Sequence, residues 1–211
     1  MAGRAGSANL STNLTVFIVD DDPAVRDALG LLLGAAGYRI AVFASGAAFL
    51  QAWRPDWSGC LLIDVHMAEL DGLALQRRLV ELGCQIPMVL VACGGDVGMA
   101  RAAFRAGALD FIDDPCDAAK LMPAIEEAFA HESRHRSAQL HSAASRERLN
   151  ELTPREREVM RLVVGGHHNR EIAPQLGISV RTVEVHKGRL MSKLGVDNVA
   201  DLVRLSLLTG D

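Results

Sequence analysis

The 211-residue sequence has no apolar run long enough to span a bilayer, and its first dozen residues, MAGRAGSANLST, lack the hydrophobic stretch of an export signal. The tail over 1–13 therefore reads as disordered, and a reducing cytoplasm without a membrane partner is the expected setting. The four cysteines, Cys60, Cys84, Cys93 and Cys116, show no CxxC spacing, which argues against a structural zinc site. No cofactor loop or recognisable general base is present, so no catalytic residue is assigned and an enzyme is not expected. From 118 to 150 there is no glycine and a single proline, Pro123, while Ala, Glu, Arg and Gln abound. Helix is expected there, with a flexible polar linker as the alternative for its second half.

The net charge of −4 conceals an asymmetry. Residues 1–130 hold nine Lys and Arg against sixteen Asp and Glu, whereas residues 131–211 hold thirteen against ten. The first part disfavours a polyanion and the second can bind one, through contacts that weaken with salt.

Between 14 and 130, five short apolar runs, TVFIV, RIAVF, CLLI, MVLVA and LDFI, alternate with amphipathic stretches near 24–36, 46–53, 73–82, 98–106 and 118–130. That alternation predicts a five-stranded, doubly wound parallel sheet. Ligands of such sheets sit beyond the carboxyl ends of the strands, where Asp20, Asp21 and Asp22 follow the first run and Asp64 the third. Asp20, Asp21 and Asp64 could hold Mg²⁺ through oxygen ligands, with Asp64 also free to act as a nucleophile. Ordinary turn and cap carboxylates are the competing reading.

The basic segment, 152–211, reads as all helical. Thr153 supplies an N-cap, Pro154 the first helical residue and Glu156 the third position of a capping box, and Gly165-Gly166 stops the helix. A second helix runs from Asn169 to Leu176, a third begins after Ser179, and a fourth spans about 198–208. On a 3.6-residue period Val183, His186, Leu190 and Leu194 share one side of the third helix, and Arg181, Val185, Gly188 and Ser192 the other. A helix of this kind suits the DNA major groove, although a plain three-helix packing unit has the same periodicity.

The stretches LTPREREV, NREIAPQLGIS, RTVEVH and KLGV resemble the LuxR-type helix-turn-helix. VDDDPAVRDAL, IDVHMAELDG and AFRAGALDFI resemble the CheY-like receiver domain, and the whole chain resembles the FixJ/NarL type of response regulator. The implied architecture is α/β plus all-α: a tail over 1–13, a receiver over 14–130, a helical linker over 131–151 and a four-helix DNA-binding domain over 152–211. By position, the resemblance makes Asp64 the phosphoacceptor of a histidine kinase, Asp20 and Asp21 the Mg²⁺ holders, and Phe111 the aromatic that moves on activation. It turns Glu184, Val185 and Gly188 toward bases. The same resemblance implies that Arg170, Arg181, Thr182, Lys187, Arg189 and Lys193 lie near phosphates of double-stranded DNA and that the last helix forms a homodimer contact.

Five positions depart from that pattern. Ala92 stands where a Thr or Ser would bond the phosphoryl group, Asp114 where a Lys would pair with it, and Ala68 where a proline is usual. Pro174 lies inside the second helix, where a kink is expected, and Gly188 weakens the third helix and offers no side chain for readout. The leading expectation is a sequence-specific transcription regulator with a pseudo-receiver, controlled independently of phosphorylation on Asp64. A conventional two-component response regulator and a protein-interaction or redox-sensing regulator are the alternatives. For Cys93 and Cys116, near Asp64 and His66, a sensing role stands beside that of buried hydrophobes.

Overall fold

The structure, a computed structural model, describes residues 15–209, so the tail expected over 1–13 lies outside the described residues. The chain forms two compact units, Met1–His135 and Arg136–Asp211.

In the first unit the strands are β1 (Thr15–Val19), β2 (Arg39–Phe43), β3 (Gly59–Asp64), β4 (Met88–Val91) and β5 (Asp110–Ile112). They form one parallel sheet in the order β2-β1-β3-β4-β5. The helices between them are α1 (Pro23–Ala35), α2 (Gly46–Ala52), α3 (Gly72–Glu81) and α4 (Val97–Arg105). Successive strand residues point to opposite faces. Phe17, Val19, Leu61 and Ile63 pack with Phe49, Leu75 and Leu79 on one face, and Val16, Ile18, Cys60 and Leu62 with Leu29, Leu33, Leu121 and Ile125 on the other. Burial on both sides explains why the three central strands, β1, β3 and β4, read as continuous apolar runs.

Two element ends differ from the sequence expectation. Asp64 is the last residue of β3 rather than the first after it, and β4 ends at Val91, although the Ala92 N–H still donates to the Ile112 carbonyl at 2.9 Å. The stretch expected as a linker belongs to one helix, α5 (Ala118–Asn150). Its end is fixed in the second unit. Leu149 joins that unit's core, the Arg157 guanidinium donates to the Leu149 carbonyl at 3.0 Å, and Arg148 donates to the Leu194 carbonyl at 3.2 Å.

The second unit adds α6 (Pro154–Val164), α7 (Asn169–Leu176), α8 (Val180–Leu194) and α9 (Val199–Thr209). Gly177 adopts a left-handed φ of 65° and closes α7, making the tight turn into α8. α7 continues through Pro174 to Leu176, because proline at this position removes one backbone donor from an eight-residue helix whose inner residues, Ile172 and Ala173, stay buried. Val159, Val183, Leu190, Leu194 and Leu202 form the fully buried centre.

Candidate functional site

At the carboxyl edge of the sheet, β1 delivers Asp20 and Asp21, and the neighbouring β3 delivers Asp64. One carboxylate oxygen from each lies within 4.8 Å of the others. Asp22 turns away to cap α1, accepting from the Ala24 N–H at 2.8 Å. Asp20 is nearly inaccessible, and its Oδ1 accepts from the Asp22 N–H at 2.8 Å. Asp21 Oδ2 accepts from the Ala68 N–H at 2.8 Å and so ties the first acidic loop to the one after β3. Burial pushes the Asp20 carboxyl up to about 6, aided by the charges of Asp64 and Asp21. Burial also raises Asp64, partly offset by the His66 N–H and imidazole. Among the described residues no lysine or arginine pairs with any of the three. Clustered oxygen donors that no lysine or arginine ion-pairs with fit a hard divalent cation.

Backbone packing holds this loop in place. A Cβ on Gly72, at the start of α3, would stand 2.3 Å from the Asp64 carbonyl oxygen. Gly72→Ala is therefore expected to cost about 2 kcal/mol or more, since neither backbone can yield without moving β3 or α3. Urea denaturation followed by the fluorescence of Trp53 and Trp57, both packed in this unit, measures it.

Ala92 is fully buried and presents only a methyl group. Phe111, half-buried, rests its ring over Gly95, where an added Cβ would come within 2.7 Å of the ring and 3.1 Å of the Ala92 Cβ. Asp114 is exposed and folds onto its own loop, accepting from the Cys116 N–H at 3.1 Å. The lysine nearest in sequence, Lys120, is held by Asp113 at 2.7 Å. The methyl of Ala92 and the carboxylate of Asp114 supply no donor or positive charge to an anion at Asp64.

In the second unit α8 is capped by Ser179, whose Oγ accepts from the Thr182 N–H at 3.1 Å and pairs with the Thr182 hydroxyl at 2.8 Å. The expected faces are reproduced: Val183, Leu190 and Leu194 are fully buried, while Arg181, Glu184, Val185, Gly188 and Arg189 are exposed. His186 lies between, half-buried with its Nδ1 turned inward. An open cleft of about 750 Å³ brings His168, Asn169 and Arg170 at the start of α7 beside Glu184 and Lys187. Among the described residues Arg170, Arg181, Lys187 and Arg189 take part in no ion pair.

Lys193 is placed differently. Its ammonium donates to Glu156 Oε2 at 2.7 Å and to the Glu151 carbonyl at 3.2 Å, facing the interior of the unit. The same Oε2 accepts from the Thr153 N–H and hydroxyl, each at 2.9 Å. The capping box was legible in the sequence. Its buried partner 37 residues away was not, because nothing local in VHKGRLMSKLG marks which lysine turns inward.

The receiver domain model of response regulators matches residues 16–126, and the model of bacterial regulatory proteins of the luxR family matches residues 150–206. The response regulator protein TodT of Pseudomonas putida is 38% identical over 204 residues, covering 96% of this chain and 90% of TodT. The transcriptional regulatory protein FixJ of Azorhizobium caulinodans is 35% identical over 198 residues, 94% of each chain. The solved structure of the response regulator StyR superposes with a TM-score of 0.80 at 36% identity, covering 92% of this chain and 98% of StyR. A receiver followed by a luxR-type helix-turn-helix, shared along nearly the full length of these relatives, makes the chain a member of the FixJ/NarL-type response regulators.

Proposed function

We propose that this regulator binds specific double-stranded DNA as a homodimer and that its receiver works independently of phosphoryl transfer to Asp64. The observation that carries the DNA reading is the set of exposed or half-exposed cations that make no ion pair among the described residues, Arg170, Arg181, Lys187 and Arg189, around the exposed Val185 and Gly188 of α8. Phosphates take the cations. Val185, 45% exposed, offers an edge for a thymine methyl group, Glu184 an acceptor for a cytosine amino group, and Gly188 room for close approach. Thr182 and Lys187 complete the contact, and Lys193 serves by holding α8 to the α6 cap. Leu207 on α9, 78% exposed, supplies apolar surface for a second copy. Arg181→Ala should weaken binding evenly across DNA sequences and lower the slope of log affinity against log salt by about 1, measured by titrations at several salt concentrations.

In the receiver, domain 14–130 by this reading, Asp20, Asp21 and Asp64 would hold Mg²⁺, which when bound neutralises charge at the acidic edge. Independence from phosphorylation is supported by Ala92, which cannot hydrogen-bond a phosphoryl oxygen, and by Asp114, which repels it. The chain then acts as a regulator and catalyses no reaction of its own, and its place is the cytoplasm, where the DNA is. Among the described residues no helix is long and apolar enough to cross a membrane.

The second reading, a conventional regulator phosphorylated on Asp64 by a histidine kinase, is favoured by the intact three-carboxylate cluster. One experiment separates the two. The purified chain and its Asp64→Asn variant are incubated with acetyl phosphate and Mg²⁺, weighed by mass spectrometry, and titrated onto the regulator's own promoter region. No adduct and equal, tight binding by both forms are expected. A stable adduct that tightens binding only in the parent chain supports the conventional reading instead.

A further inference from the structure

Two of the four cysteines are interior, Cys60 and Cys84, and two are exposed, Cys93 and Cys116. The exposed pair occupies neighbouring loops at the carboxyl edge of the sheet. β4 and β5 are adjacent with Val91 opposite Ile112, and the ladder ends on the bond from Ala92 to Ile112. Cys93 follows Ala92 directly. Cys116 comes four residues after Ile112, in a turn folded on itself by bonds from its own N–H to Asp114 Oδ1 and from the Asp117 N–H to the Asp114 carbonyl. The Cys93 thiol is raised by burial, with Cys116, Asp64, Asp114 and Asp20 acting in the same direction. After Cys93 come Gly94, with φ 80°, and Gly95, beneath the Phe111 ring.

We propose that Cys93 and Cys116 are a redox pair that hydrogen peroxide closes into an intramolecular disulfide, giving the receiver an input separate from Asp64. One thiolate attacks a peroxide oxygen, and the O–O bond breaks to leave a sulfenic acid and hydroxide. The second thiolate attacks the sulfenic sulfur, the S–O bond breaks, and a second hydroxide leaves. With the two thiol protons, the balance is two thiols and one peroxide to one disulfide and two waters.

The surroundings shape the behaviour of this pair. Burial first, then the neighbouring thiol and carboxylates, raise the Cys93 thiol above its ordinary value. A small thiolate fraction slows the first attack. The pair would respond to sustained rather than transient oxidant. The bridge also ties the loop that carries Gly95, the seat of the Phe111 ring, to the loop entering α5.

The test uses the full chain, reduced, exposed to hydrogen peroxide while folded, then alkylated, digested without reductant and mapped by mass spectrometry. A linked peptide pair containing Cys93 and Cys116, lighter by two hydrogens, is expected, with Cys60 and Cys84 alkylated only after denaturation. Cys93→Ser and Cys116→Ser, both at exposed positions, should keep the parent's tryptophan fluorescence and abolish the linked pair. Separate over-oxidation of the two thiols in the parent chain, without a linked pair, overturns the proposal. So does a link between two chains, seen as a dimer on a denaturing gel run without reductant.

Discussion

Replacing Glu156 by alanine is expected to cost the C-terminal unit about 2–4 kcal/mol and to abolish DNA binding under conditions where the receiver stays folded. One carboxylate oxygen of this side chain, 4% exposed, accepts from the Thr153 N–H, the Thr153 hydroxyl and the Lys193 ammonium. Removing it opens the cap of α6 and leaves a half-buried ammonium without its anion at the end of α8. In a small unit whose total stability is on the order of 5–15 kcal/mol, that is a large fraction. Trp53 and Trp57 both lie in the first unit, so their fluorescence should be unchanged while helical circular dichroism and DNA binding fall together.

The same pair sets an acid limit. The Lys193 hydrogen bond, with those from Thr153, holds the Glu156 carboxyl down at about 2, against an ordinary value of 4.5. A folded-state value below the unfolded one means that ionised Glu156 contributes stability above about pH 4.5, and that this contribution is lost as pH falls from there toward about 2. Glu156→Gln should flatten the stability profile of the C-terminal unit across that window. An unchanged acid profile would sink the claim that this buried pair fastens α8 to the α6 cap.

The second large effect is expected at Asp64. Converting Ala92→Thr together with Asp114→Lys should change acetyl phosphate treatment from no detectable adduct to a stable one, with an adduct lifetime longer by 100-fold or more. Two like charges 4 Å apart repel by about 4 kcal/mol at an effective dielectric of 20, and a lysine replaces that repulsion with attraction of similar size. Asp114 is exposed, so solvent screening reduces both, and 100-fold corresponds to about 2.8 kcal/mol after that discount. Threonine adds a hydroxyl where the parent has only a methyl group. In this double variant, unlike the parent, Asp64→Asn should eliminate the response to acetyl phosphate. A double variant that still gains no adduct would move the obstacle from these two residues to the carboxylate cluster itself.

The sequence was most legible where a property depends on residues within one turn. The cap of α6, the glycine stop of α7 and the Ser179 cap of α8 rest on contacts three or four residues apart, and each was readable in one dimension. The apolar runs fixed the strands for a similar reason, since burial on both faces leaves few polar positions. Pro174 does not interrupt α7, whose expected course to Leu176 is kept, with Ile172 and Ala173 in the core. The second half of α5 was open in the sequence because its apolar residues are sparse. Its helical course is secured at the far end by Leu149 and by Arg157 and Arg148, contacts made by residues on other elements.

By itself, then, the sequence determined the order of elements, the two kinds of unit and the family, because these follow from periodicity, caps and contiguous motifs. Tertiary structure alone decided that Asp20, Asp21 and Asp64 converge, that Lys193 faces Glu156 while Lys187 lies on the outward cleft, that Phe111 rests on Gly95, and that two of the four cysteines are exposed on adjacent loops. The physical reason is common to all four. A side chain's environment is set by whichever distant segment packs against it, and that partner is chosen by the burial of the whole apolar surface rather than by its neighbours in the chain.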